Sequence, residues 1–209
     1  MKKLLFVVLT LMAVSLMVAA PALAKRPSGD ECAHDVATVE ALRECVEHAI
    51  HHGHIDIASR AARVFDELVV AVYNRPLKSL LFSPQERLAL VEQSFAGVKG
   101  VRVALFGGLI VNYCQEIEAQ VIVRGLRVFS DFEHEFRMAL ANHRLAPDVE
   151  VVLFITQEEH SFLTGTTVRE IAALGGNVSS MVPPHVVAAL QRRFKELGDD
   201  ALSPTSWRD

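Results

Sequence analysis

Val121-Ile122-Val123-Arg124-Gly125-Leu126-Arg127 decides how the chain folds. Three β-branched residues in succession predict a strand buried on both faces, because a half-exposed strand would alternate apolar with polar residues. The run then ends on two arginines that straddle a glycine. Guanidinium groups leaving an apolar run need anions to satisfy them. Those anions are either a ligand or an internal salt-bridge cluster with Asp131, Glu133 or Glu135, and both readings stay open.

Comparable runs flank it. Residues 68–72, 101–106 and 149–155 join 121–123 as predicted strands, and helical periodicity falls at 83–95, 109–118, 130–143, 167–174 and 184–197. Continuous apolar strands spaced by helices predict an α/β, Rossmann-like parallel sheet with helices on both faces. Right-handed crossovers stack such units, and ligands sit beyond the carboxyl ends of the strands. The ends at Asn74, Phe106, Arg124 and Ile155 are therefore expected to share one rim.

The first 50 residues point elsewhere. Lys2 and Lys3, the apolar run from Leu4 to Ala20, and Ala22-Leu23-Ala24 make residues 1–24 an export-signal-like segment. An uncleaved anchor is disfavoured because the run is short and carries Thr10 and Ser15. Residues 25–50 form a linker and an amphipathic helix at 35–50, with Val36, Val39, Leu42, Val46 and Ile50 on one face and Gly53 as its C-terminal cap. Residues 51–197 are the α/β domain and 198–209 a polar tail.

With 209 residues, 51% of them hydrophobic, the chain suits one domain with appendages, and its net charge of −4 argues against general nucleic-acid binding. The three cysteines show no metal-type spacing. In an exported chain Cys32 and Cys45 could pair and leave Cys114 free; in a cytosolic one all three are inert thiols.

Three segments suit polyphosphate chemistry: His51-His52-Gly53-His54 with Ile55-Asp56-Ile57 behind it, the arginine run with Asp131-Phe132-Glu133, and Ser161-Phe162-Leu163-Thr164-Gly165-Thr166-Thr167-Val168-Arg169-Glu170. Each joins small or hydroxyl residues to cationic ones where a strand is expected to feed a helix, so backbone N–H groups and positive charge meet. Lys78 on the same rim is a point charge for phosphate or an ordinary surface lysine. Thr164 to Thr167 can cap the following helix, with Glu170 completing a capping box behind Thr167. Capping does not explain the lack of bulk at Thr164-Gly165-Thr166, which close approach of a ligand to the backbone would. His48 and His52 have a metal-compatible spacing, but no nearby Cys or carboxylate completes a site.

From about His51 to Phe194, about seven-tenths of the 209 residues, the chain resembles bacterial phosphopantetheine adenylyltransferase. That family belongs to the nucleotidyltransferase superfamily with a [T/H]-x-G-H motif. Arg124-Gly125-Leu126-Arg127 followed by Asp131-Phe132-Glu133 carries most of the resemblance. The resemblance implies adenylyl transfer from ATP to 4′-phosphopantetheine, giving dephospho-coenzyme A and pyrophosphate, with Mg²⁺ on the pyrophosphate. It makes His54 the transition-state group at the α-phosphate, Lys78 and Arg124 the groups on the substrate phosphates, and His51 the first motif position. Gly125, Leu126, Arg127 and Glu135, with His160, Ser161, Phe162, Leu163, Thr164, Gly165 and Thr166, would contact ATP. Leu109 and Ile110 would wall the pantetheine pocket. The resemblance also implies a cytoplasmic enzyme and a homo-oligomer, a hexamer. No protein metal ligands and no nucleic acid are implied.

The chain departs from the family at three places. His160 stands where an aromatic is common, and Gly165 where a hydroxyl is common. Ahead of the histidine motif the family has a strand ending in Gly-[Thr/Ser]-Phe-Asp-Pro, whereas this chain has Cys45-Val46-Glu47-His48-Ala49-Ile50. The first, central strand is thus expected to be missing or replaced by a helix. Residues 30–57 resemble instead the start of a small helical module of secreted proteins. Two alternatives follow: an exported or fused, catalytically inactive α/β module, and nucleotidyl transfer to a nicotinamide or glycerol phosphate acceptor.

Overall fold

The computed structural model describes residues 5–9, 50–74 and 80–198. The predicted helix at 35–50, its residue Ile50 apart, lies outside them, as do the linker, Cys32, Cys45, His48, Lys78 and the tail beyond Gly198. Among the described residues the order is β1 (Leu5–Leu9), α1 (His52–Ala61), β2 (Glu67–Tyr73), α2 (Pro84–Ser94), β3 (Val101–Phe106), α3 (Ile110–Glu116), β4 (Ala119–Leu126), α4 (Phe129–Leu145), β5 (Glu150–Ile155), α5 (Gly165–Ala173) and α6 (Pro184–Leu197). The strands form one parallel sheet ordered β3-β2-β1-β4-β5. This is the α/β sheet the apolar runs predict.

Alternate residues of β2 enter two cores. Leu68, Val70 and Val72 pack with Ile57, Ala58 and Ala61 of α1 and with Val186 and Leu190 of α6. Val69, Ala71 and Tyr73 pack with Ile110, Val111 and Cys114 of α3. Burial on both faces is why the run shows no polar alternation. Burial also pushes the Cys114 thiol up to about 12, so it stays protonated and inert.

The centre of the sheet brings the main correction. Leu5–Leu9, within the segment read as an export signal, pairs with Glu67–Ala71 on one side and with Ala119 and Val121–Val123 on the other. It fills the place that the sequence reading left without a strand. An apolar run of five residues reads alike as the core of a signal and as a doubly covered strand, and periodicity cannot separate them.

Four smaller corrections follow. Gly53 is not a helix cap but lies buried in the first turn of α1, a helix the periodicity did not show. β4 runs on to Leu126, so Arg124 sits inside the strand, paired with Leu153, rather than beyond its end. Helix α5 begins at Gly165, two residues before the predicted start at 167. Within the Thr164–Thr167 stretch expected to cap it, Thr164 is the cap and accepts from the Thr167 backbone N–H at 3.0 Å, so the box of Thr167 with Glu170 does not form.

Candidate active site

The chain leaves β1 toward β2 on one side of the sheet, while β4 lies on the other, which makes the carboxyl ends of β1 and β4 a topological switch point. Three groups of residues gather there.

The first is the start of α1. His51 is its N-cap, in extended conformation, and is only 3% exposed. The His51 ring stacks on His54, with centroids 3.8 Å apart. Its backbone N–H points at His54 Nδ1, 3.5 Å away. The absence of a side chain at Gly53 allows this: a Cβ there would sit 3.1 Å from the His51 ring and 3.3 Å from His160 Cβ. Burial is the largest cause holding the His51 imidazole well below its usual pKa, and the charges of His54, Arg127, His160 and His52 add to it. His51 is therefore neutral near pH 7 and keeps a single N–H to donate. His52 is lowered more mildly, first by burial and then by His160, whose ring lies 6.2 Å away.

The second group is the end of β4. Arg124 donates through Nε and Nη2 to the two carboxylate oxygens of Glu135, at 2.9 and 2.8 Å. Arg127 makes three contacts to Asp131: its backbone N and Nε to Oδ2 at 3.2 and 3.1 Å, and Nη2 to Oδ1 at 3.3 Å. The internal salt-bridge cluster exists, with Glu135 and Asp131 as partners, while Glu133 pairs with Arg137 instead. Glu135 is a buried partner of Arg124 in α4. Gly125 lets α1 come close: a Cβ there would lie 3.4 Å from Ile57 and 3.7 Å from the Thr156 hydroxyl.

The third is the segment between β5 and α5. Arg127 Nη1 donates to the carbonyl of Leu163 at 3.0 Å, tying the β4 end to it. Leu163 is buried, Phe162 is exposed, and the Ser161 hydroxyl donates to the carbonyl of Glu158 at 2.8 Å. Thr164 and Thr167 share a hydroxyl hydrogen bond of 2.8 Å. The first turns of α1 and α5, both partially positive at their N-termini, therefore border the same rim.

Residues 49–171 match the family model described as Cytidylyltransferase-like. A phosphopantetheine adenylyltransferase of Herpetosiphon aurantiacus is 49% identical over 146 residues, covering 70% of this chain and 88% of that protein. Those of a Roseiflexus species and of Thermomicrobium roseum are 48% and 46% identical, over 69% and 71% of this chain and 91% and 90% of theirs. The chain belongs to the phosphopantetheine adenylyltransferase family.

Of the positions that the resemblance singled out, His51, His54, Gly125, Leu126, Arg127, His160 and the Ser161–Thr166 stretch lie along one rim, and Arg124 pairs with Glu135 beside it. Leu109 and Ile110 stand apart. Leu109 is the N-cap of α3 and Ile110 is fully buried in the core on the opposite face of the sheet from α1. Lys78 lies outside the described residues.

Two buried arginines lie near the rim: Arg169, inside the 161–170 segment but with no role assigned to it from the sequence, and Arg87, which the sequence did not mark. Arg87 of α2 donates to the carbonyl of Tyr73, the last residue of β2, at 2.7 Å, and burial pulls its pKa down to about 10. Arg169 of α5 reaches back to the Gly165 carbonyl at 3.4 Å and the Thr166 hydroxyl at 3.3 Å. Arg87 stands beside neither a glycine nor a second cation in sequence, so nothing local marked it. Among the described residues no three His, Cys, Asp or Glu side chains are grouped to hold a metal, and no helix is long and apolar enough to cross a membrane.

Proposed function

We infer that this chain transfers the adenylyl group of ATP to the phosphate of 4′-phosphopantetheine. An acceptor phosphate oxygen attacks the α-phosphorus in line, the bond to the β-phosphate bridging oxygen breaks, and pyrophosphate leaves with dephospho-coenzyme A as product. The observation that supports this most is the meeting of the His51–His54 turn, Arg127 and the Leu163–Thr166 stretch at one switch point. No covalent intermediate is needed, so catalysis is positioning and charge stabilisation. His54 meets the charge that develops on the α-phosphate, with neutral His51 stacked behind it. Arg127 and the first turns of α1 and α5 hold the triphosphate. Lys78 and Arg124 take the acceptor phosphate. Glu135 keeps Arg124 in a fixed orientation.

Mg²⁺ enters this reading as an ion carried by the nucleotide. Such an ion is held mainly by phosphate oxygens. The substrates place the enzyme in the cytoplasm. It works as a homo-oligomer, a hexamer as in the family resemblance. The exposed apolar stripe Phe129, Phe132, Phe136 and Leu140 on α4 supports self-association.

The test uses the full chain, because residues 1–24 contain β1. Calorimetric titration with ATP·Mg²⁺ and then 4′-phosphopantetheine, with pyrophosphate release followed on the same sample, should give binding of both and release. A folded chain that binds neither ligand overturns the reading and favours the inactive module. His54→Ala should cut turnover by about 10²–10³-fold while changing ATP binding far less. Equal losses in both would remove His54 from its role.

A further inference from the structure

Two elements proposed to grip ATP come from distant parts of the chain. Helix α1 carries His54, and the segment after β5 carries His160 to Thr166. Arg60 joins them. From the last turn of α1, its Nη1 donates to Asp56 Oδ2 at 2.9 Å, one turn back on the same helix. The same nitrogen donates to the carbonyl of Ile155, 95 residues away, at 2.8 Å. The guanidinium also lies over the Phe154 ring, 5.6 Å from its centroid.

Ile155 ends β5, and its side chain is 71% exposed, so that side chain cannot fix where the strand ends. Backbone bonds fix it instead. The next residue, Thr156, donates its N–H to the Leu126 carbonyl at 2.8 Å, which ties the exit to β4. Arg60 ties it to α1. The exit of β5 is thus held from two sides, and the segment leading to His160 starts from a point set relative to His54.

We propose that Arg60 is a positioning residue: with Asp56 it sets the distance between the His54 turn and the His160–Thr166 segment, and so the affinity for ATP. Arginine suits this place because one planar group can meet a carboxylate, a carbonyl and a ring at once; lysine offers only a point charge. The proposal rests on the adenylyl-transfer reading for its effect on ATP. Its structural half stands independently of that reading.

The test compares Arg60→Ala and Arg60→Lys with the parent in full-length chain. KM for ATP should rise roughly ten-fold in R60A and less in R60K, while KM for 4′-phosphopantetheine stays within about two-fold, as expected for a small displacement of one binding element. Amide hydrogen exchange should rise over residues 156–164 in R60A and remain unchanged in β2 and β3. An unchanged KM for ATP, or exchange that rises evenly across the sheet, overturns the proposal and leaves Arg60 a plain structural contact. If the parent itself releases no pyrophosphate, the adenylyl-transfer reading fails, and the exchange pattern alone still decides whether Arg60 holds the β5 exit.

Discussion

Strands β1 and β4 are hydrogen-bonded neighbours, in register from Phe6↔Val121 to Val8↔Val123, and both are short apolar runs. β4 is legible at once, because two arginines and a nearby acidic helix start surround it. β1 is preceded by Lys2 and Lys3 and followed by more apolar residues, so its surroundings suggest an export signal. The pair shows that the residues of a buried strand carry little identity of their own, and that flanking segments supply the reading. What makes Leu5–Leu9 a strand is the gap between β2 and β4, which no stretch of local sequence encodes.

The largest effect should come from breaking β1. A chain beginning at residue 25 leaves facing edges of β2 and β4 without partners in the middle of the sheet. That cost exceeds a typical total stability of about 5–15 kcal/mol. The shortened chain should show no cooperative unfolding transition by circular dichroism, whereas the full chain should show one. If residues 25–209 melt at the same temperature as the full chain, β1 is not the central strand.

The matching break in β4 is electrostatic. The Arg124 and Glu135 side chains are 5% and 2% exposed and bonded at both carboxylate oxygens. Glu135→Gln leaves a buried guanidinium without its counter-charge, at a cost of about 3–5 kcal/mol in urea unfolding. Replacing both, as Arg124→Met with Glu135→Leu, should cost far less, since neither charge is then stranded. Equal losses in the single and double variants would mean that packing, not charge, sets the effect.

The same contrast explains how much was legible. β2, β3 and β5 were visible because both of their faces are covered, and α2 because Ser83 and Glu86 cap it reciprocally. Helix α1 was missed because its buried positions, Gly53, Ile57, Ala58 and Ala61, include three residues too small to mark an apolar face. The arginine–carboxylate pairs were foreseen as one of two readings because acid and base lie 4 and 11 residues apart in sequence. The contacts of Arg60 and Arg87 were not, because both bond backbone carbonyls far along the chain. A carbonyl partner leaves no trace in residue type.

His51 sharpens the comparison from the other side of the rim, where a basic group is buried without a carboxylate. The fold keeps its imidazole neutral, chiefly through burial. An unfolded histidine takes up a proton near pH 6.5, and the folded one resists it, so the unfolded state binds more protons as the pH drops. Stability is therefore fully present above about pH 6.5 and is lost as the pH falls below it. His51→Asn should flatten the fall in Tm between about pH 7.5 and about pH 5.5, though not abolish it, because His52 and His134 are also lowered by burial. An identical slope in parent and variant would place the acid sensitivity elsewhere.

The smallest effect on the single chain lies on the outer face of α4, opposite Glu135. Phe129, Phe132 and Phe136 stack along it at 6.4 and 6.0 Å, and with Leu140 they form a stripe at helical spacing. Acidic Asp131 and Glu133 lie toward its start and Arg137 and Arg144 toward its end. A second copy docked antiparallel would place unlike charges together while covering the rings. Phe132→Glu changes an exposed site, so monomer stability should shift by no more than about 0.5 kcal/mol. The sedimentation coefficient should nonetheless fall at equal concentration, because a carboxylate on a covered apolar face has no partner there. Coincident sedimentation of parent and variant would mean that this face of α4 stays in water and that any assembly uses another surface.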